Sequence, residues 1–178
     1  FKQPINENGP MHYKGFMENV GAVIMGASTY LWLKENDVDK GNPWSMTQPT
    51  WVFTHRDLPR LDESITFAQG DVRSVHAAAV AAANGLHVWI VGGGELAGQF
   101  ADAGLLDECW FQYAPVTLGR GAPILPRRLD LELIDSATNA AFLCGRSRVR
   151  GVPAAYGSPV PRRTYTVPRR LIPPRRSC

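Results

Sequence analysis

Three features of the chain predict an α/β fold whose sheet ends in an antiparallel edge. Short β-branched runs alternate with helical patterns over the first hundred residues. Strand-like segments then follow one another with no helix between them, and the early runs end in glycine or hydroxyl residues. The chain has 178 residues, 44% of them hydrophobic and 20% charged, which is the size and composition of one soluble domain.

The first element is a helix from Pro10 to Val20, with Tyr13, Phe16, Met17 and Val20 on one face at i, i+3, i+4 and i+7. Ala22, Val23, Ile24 and Met25, between Gly21 and Gly26, read as a buried core strand. Ser28 or Thr29 then caps a helix through Tyr30, Leu31, Trp32 and Leu33. Residues 36–49 are polar, contain Gly41 and Pro43, and read as a loop. Thr50 to Thr54 is a second buried strand and Ile65 to Phe67 a third. Asp71 opens an alanine-rich helix with Val72, Val75, Ala79 and Ala82 inward and Gly85 as its stop.

The most strand-like run is His87 to Val91. It passes directly into Gly92-Gly93-Gly94, and a helix follows with Leu96, Phe100 and Ala103 on one side. Asp107 to Val116 reads as a long strand. Leu129, Leu131 and Leu133 alternate with acids as a strand with one wet face, and Ala141 to Cys144 is the last strand. Trp32, Trp44 and Trp51 read as core, with a pocket wall as the competing reading.

Net charge is +3, but it is unevenly placed. All 16 acids lie at or before Asp135, so residues 1–135 carry −6, while nine arginines give residues 136–178 a charge of +9. Beyond about Gly151 the pattern dissolves into an Arg/Pro-rich tail over 151–178, expected to be poorly ordered. Such a tail also admits a nucleic-acid reading, which the scarcity of interleaved aromatics makes the weaker one. No apolar run approaches the ~20 residues of a membrane span, so no membrane partner is predicted. Cys109, Cys144 and Cys178 are odd in number and widely spaced, and no His or Cys pair has metal-ligand spacing. Neither a disulfide framework nor a metal is predicted, and a reducing cytoplasm is the expected location.

Chemistry concentrates at three strand ends. A glycine turn between strand and helix lets backbone approach a phosphate closely and faces it with the N–H groups of the helix N-terminus. Gly92-x-Gly94-x-x-x-Gly98 is not the Rossmann spacing, so taken alone this turn is as readily structural. Gly26-Ala27-Ser28-Thr29 offers a second anion-compatible helix start with hydroxyls. Thr54-His55-Arg56 joins a hydroxyl to a guanidinium suited to phosphate. Three such ends at the carboxyl side of one sheet lie where open α/β sheets bind ligands.

The motifs V-I-M-G-A-S-T-Y (Val23 to Tyr30), W-V-F-T-H-R (Trp51 to Arg56), V-W-I-V-G-G-G-E-L-A (Val88 to Ala97) and G-L-L-D-E-C-W-F-Q-Y-A-P-V-T-L-G-R-G (Gly104 to Gly121) resemble the dihydrofolate-reductase-like reductases. The branch they are most similar to is the reductase domain of the bifunctional riboflavin-biosynthesis deaminase/reductase. This resemblance implies a three-layer αβα mixed sheet over residues 1–150 and NADPH as cofactor. By motif, Gly26, Ala27 and Thr29 match the turn that touches cofactor phosphates, with Ala27 where relatives usually carry arginine. Thr54, His55 and Arg56 match the segment that receives the adenosine 2′-phosphate. Val91, Gly92, Gly93 and Gly94 match the diphosphate loop, often with a cis Gly–Gly peptide, and Glu95 and Leu96 begin the next helix. Relatives also begin with a strand inside the sheet ahead of the position of residue 1, and nothing here matches it.

The expected function is an NADPH-dependent reductase of a small heterocyclic or related substrate. The alternatives are a degenerate, non-catalytic nucleotide binder of the same fold and a nucleic-acid binder acting through the tail. Glu95, the carboxylate beside the glycine turn, is the acid/base candidate; the competing reading is a first-turn glutamate favoured by the helix dipole. A homodimer is expected, because Cys109 to Tyr113 is aromatic on both faces of its strand.

Overall fold

The structure is a computed structural model that describes residues 5–151. Four parallel strands, β1 (Val20–Gly26), β2 (Thr50–Phe53), β3 (Ile65–Ala68) and β4 (His87–Gly92), form a sheet in the order β3-β2-β1-β4. Four helices, α1 (Tyr13–Met17), α2 (Ala27–Asn36), α3 (Val72–Ala83) and α4 (Gly94–Asp102), accompany them. Three further strands, β5 (Glu108–Tyr113), β6 (Asp130–Asn139) and β7 (Phe142–Gly151), make an antiparallel sheet in the order β5-β7-β6.

The central strand β1 shows why the sheet has helices on both faces. Its side chains alternate, with Ala22 and Ile24 in one apolar cluster and Val23 and Met25 in the other, all at 0% exposure. The first cluster is completed by Val72, Val75, Ala79 and Ala83 from α3 and by Leu96 and Phe100 from α4. The second gathers Tyr30 from α2 with Met46, Val52 and Ile65. This is the three-layer αβα architecture. The antiparallel strands form a sheet of their own, and no residue of β5, β6 or β7 belongs to either cluster.

Several elements differ from the sequence-based expectation for identifiable reasons. Helix α1 spans five residues, because Val20 already pairs with β4 through His87 and so opens β1. The inward row of α3 ends on Ala83, while Ala82 is exposed, since one 3.6-residue turn beyond Ala79 falls at position 83. Helix α2 starts at Ala27 with Gly26 as its N-cap, so Ser28 and Thr29 lie inside its first turn. Trp32 points outward from α2 and is 61% exposed, whereas Trp44 and Trp51 pack on the clusters. Strand β5 stops at Tyr113. Strand β6 is wet on both faces along most of its length, and β7 runs on to Gly151. The tail beyond that residue lies outside the described residues, and no helix among the described residues is long and apolar enough to cross a membrane.

Candidate functional site

Strand register brings the three sequence-predicted turns together. Gly26 of β1 stands opposite Phe53 of β2, and Met25 of β1 stands opposite Gly92 of β4. The carboxyl ends of these strands therefore lie side by side. Residues 26–29, 54–56 and 92–96, distant in sequence, share one edge of the parallel sheet.

At the centre is the glycine turn. Gly92 has φ +154°, a backbone conformation that side-chain-bearing residues rarely adopt. A Cβ there would stand 3.4 Å from the Thr29 hydroxyl oxygen, so Thr29 and Gly92 face each other. Gly93 is the N-cap of α4 and has no side chain to occupy the first N–H groups of that helix. No peptide bond among the described residues is cis, so the cis Gly–Gly link that the resemblance implies is absent from residues 92–94. Val91, next to last in β4, is half-buried, and Leu96 turns inward as a core residue of α4.

The turn after β2 has a different construction from the one expected. Thr54 is 7% exposed, and its Oγ1 accepts the Arg56 N–H at 2.9 Å and donates to the Arg56 carbonyl at 3.3 Å. Its hydroxyl is thus committed to the turn. What the turn presents to solvent is His55 and Arg56, both exposed, and no ion pair holds Arg56 among the described residues.

Glu95 is not a free carboxylate. Arg127 Nη2 donates to its Oε1 at 2.8 Å and Nη1 to its Oε2 at 3.2 Å, while Arg127 Nε donates to Asp102 Oδ2 at 2.7 Å. Hydrogen bonding from Arg127 holds the Glu95 carboxyl below the usual carboxylate range, and the two carboxylates push the guanidinium further up. Such a group stays ionised near neutrality and has no proton to give, so the arrangement fits a first-turn ion pair rather than an acid catalyst. Arg127 was not legible as a site residue, because its partners lie 32 and 25 positions away in a different element.

A cleft of about 640 Å³ opens from Gly92, Gly93 and Gly94 and runs between β4 and β5. Trp89, Ile90, Phe100 and Trp110 line it. Among the described residues β4 pairs only with β1, and β5 only with β7, so each presents an unpaired edge to this space. The consequence is visible in burial: β4, the most strand-like run in the sequence, has no buried residue, whereas β1 beside it has five. Among the described residues, no three His, Cys, Asp or Glu side chains gather as metal ligands.

A protein-family model described as the RibD C-terminal domain matches residues 35–142. "Uncharacterized protein YwjB" of Bacillus subtilis (strain 168) is 32% identical over 116 residues, which are 65% of this chain and 64% of that relative. The chain thus spans just under two thirds of the relative's length. A solved structure from Shewanella sp. PV-4, named "Putative riboflavin biosynthesis protein", superposes over 83% of this chain and 84% of its own, with TM-score 0.66 and 21% identity. A pyrimidine reductase-like protein from Corynebacterium diphtheriae covers 73% of this chain and 76% of its own, with TM-score 0.50 and 13% identity. At these identities the structural likeness establishes the fold.

Proposed function

The chain belongs to the RibD C-terminal domain family, and from that premise we propose that it is an NADPH-dependent reductase of a small heterocyclic substrate. The observation that carries the reading is the register that sets Gly26 opposite Phe53 and Met25 opposite Gly92, and so brings three phosphate-compatible turns to one sheet edge. The residues present suit the cofactor. A bare backbone at Gly92 beside the Thr29 hydroxyl is a cradle that a side chain would fill, and α4 begins there with uncapped N–H groups. Arg56 supplies an exposed guanidinium at the next strand end, where a site for NADH would normally provide an acid.

NADPH, when bound, supplies the hydride; the protein's part is to hold and orient. Gly92, Gly93 and Gly94 would hold the diphosphate, and His55 and Arg56 the 2′-phosphate, with Thr54 shaping the turn that presents them. Trp89 and Trp110, which line the adjoining cleft, offer apolar surface to a flat heterocycle. Glu95 takes no part in proton transfer in this reading. The engagement of that carboxylate favours a second reading, nucleotide binding without catalysis.

Fluorescence titration with NADPH and NADH tests the proposal. A charge-assisted contact from Arg56 is worth about 1.5–3 kcal/mol, so Arg56→Ala is expected to weaken NADPH roughly ten- to a hundred-fold and leave NADH nearly unchanged. Equal affinities in the parent protein, or equal losses in the variant, would remove Arg56 from the site. NADPH binding with no consumption of the cofactor across a panel of pyrimidines and related heterocycles would favour the binding-only reading.

A further inference from the structure

Residues 114–129 join β5 to β6 as sixteen consecutive residues without helix or strand. Loops of that length in compact domains are uncommon and are usually either functional, as lids and binding loops are, or linkers. This one stands out into solvent at Leu118, 79% exposed, yet its far end is drawn onto α4. One side chain makes the hydrogen bonds that do so. The Arg127 side chain lies along α4 between Glu95 and Asp102, seven positions and about two helical turns apart on one face. Midway between them is Gly98, where a Cβ would stand 3.1–3.3 Å from Arg127 Cγ, Cζ and Nε. The helix is bare beneath the guanidinium. Arg127 Nη1 also donates to the Pro126 carbonyl at 2.9 Å, which ties the ion pairs back to the loop's own backbone.

This attachment has a consequence at the glycine turn. The loop backbone rests against Gly94, where a Cβ would stand 2.8 Å from the Pro123 carbonyl oxygen and would overlap that of Ile124. Ile124 and Leu125 line the same cleft as Gly92, Gly93 and Gly94. Carbonyl oxygens thus sit beside the helix start where an anion would bind. Glu95, Asp102 and Arg127 together add a net −1, which opposes an approaching phosphate.

We propose that Arg127 is a latch: ion-paired along α4, it holds the 114–129 loop across the entrance to the glycine turn, and its release sets the rate at which a phosphate-bearing ligand enters. The gating half of this proposal rests on the reading of that turn as the cofactor diphosphate site; the latch itself does not. The ligand's phosphate would bring Arg127 a competing partner, and so favour the open loop.

Two variants break the latch by independent routes. Arg127→Gln removes the charge and the fork, whereas Gly98→Leu leaves Arg127 intact and fills the groove in which it lies. Trypsin cleavage after Arg120, an exposed residue in the loop, reports opening without any cofactor. Both variants are expected to raise that cleavage rate by roughly two- to fivefold, the scale on which an exposed ion pair shifts an opening equilibrium, with far-ultraviolet circular dichroism unchanged. Stopped-flow fluorescence is expected to show faster NADPH association in both. Unchanged cleavage after Arg120 in both variants overturns the latch. Faster cleavage with unchanged or slower association overturns the gate and leaves Arg127 as a loop anchor. A parent chain that binds no NADPH overturns the cofactor reading instead, and the cleavage rates still decide the latch.

Discussion

Replacing Tyr30 by Phe isolates a hydroxyl that ties α2 to the segment following the Thr54–Arg56 turn. Tyr30 is fully buried on α2, shortly after the turn at Gly26–Thr29. Its hydroxyl donates to the Pro59 carbonyl at 2.6 Å and accepts the Leu61 N–H at 3.2 Å, fixing the segment that follows Thr54–Arg56. The ring packs on Trp44 and Phe67, each with centroids 5.7 Å away, and phenylalanine keeps those contacts. What is lost is a partner for two backbone groups. An unsatisfied buried group costs about 1–3 kcal/mol, and Pro59 is exposed enough for its carbonyl to turn to water, so the cost should be about 1–2 kcal/mol. For a domain of this size that lowers Tm by about 2–8 °C in a calorimetric scan. NADPH affinity should fall with it, because the Arg56 turn loses its brace. A Tm within 1 °C of the parent would refute the reasoning, as would a Tyr30→Leu variant no less stable than Tyr30→Phe.

The Arg146 guanidinium bonds Glu108 at 2.7 and 3.0 Å and holds that carboxyl below its usual range. A depressed carboxylate stabilises the fold fully above the unfolded value and loses that contribution as pH falls through the folded one; urea melts between pH 6 and pH 3 should therefore show a smaller acid loss in Arg146→Gln than in the parent. One face of the antiparallel sheet, with Tyr113, Leu133 and Leu143 50–63% exposed, bears no formal charge apart from Asp130 opposite Gly151 at its end, while Glu108, Glu132, Arg146 and Arg148 pair on the other. We propose that two copies meet on this neutral face; light scattering should show a dimer that Leu143→Arg dissociates, and a monomeric parent at micromolar concentration would end the idea. Ending the chain after Gly151 should move Tm by less than about 5 °C, because residues 152–178 offer few large apolar side chains against the ordering cost of their backbone; a larger drop would mean that they pack on the domain.

Strands β1, β2 and β4, the helix start at Asp71, and the three strand-end turns could be read from the sequence by itself. Each depends on residues adjacent in the chain: a β-branched run, a glycine after it, a helical row of apolar positions. The family followed from motifs of the same kind. The sequence likewise indicated an antiparallel end through the alternation at Leu131 and Leu133, but not its extent, since beyond Leu133 β6 buries almost nothing and the alternation stops. Tertiary structure alone decided what the turns do with their side chains. Thr54 closes its own turn, Thr29 faces Gly92, and Glu95 is bound by an arginine 32 positions away. It also decided that β4 and β5 face each other across open space, although β4 has the composition of a fully buried strand. Local pattern records the tendency of a segment to be buried, whereas burial itself requires a neighbour, and a neighbour is a property of the fold.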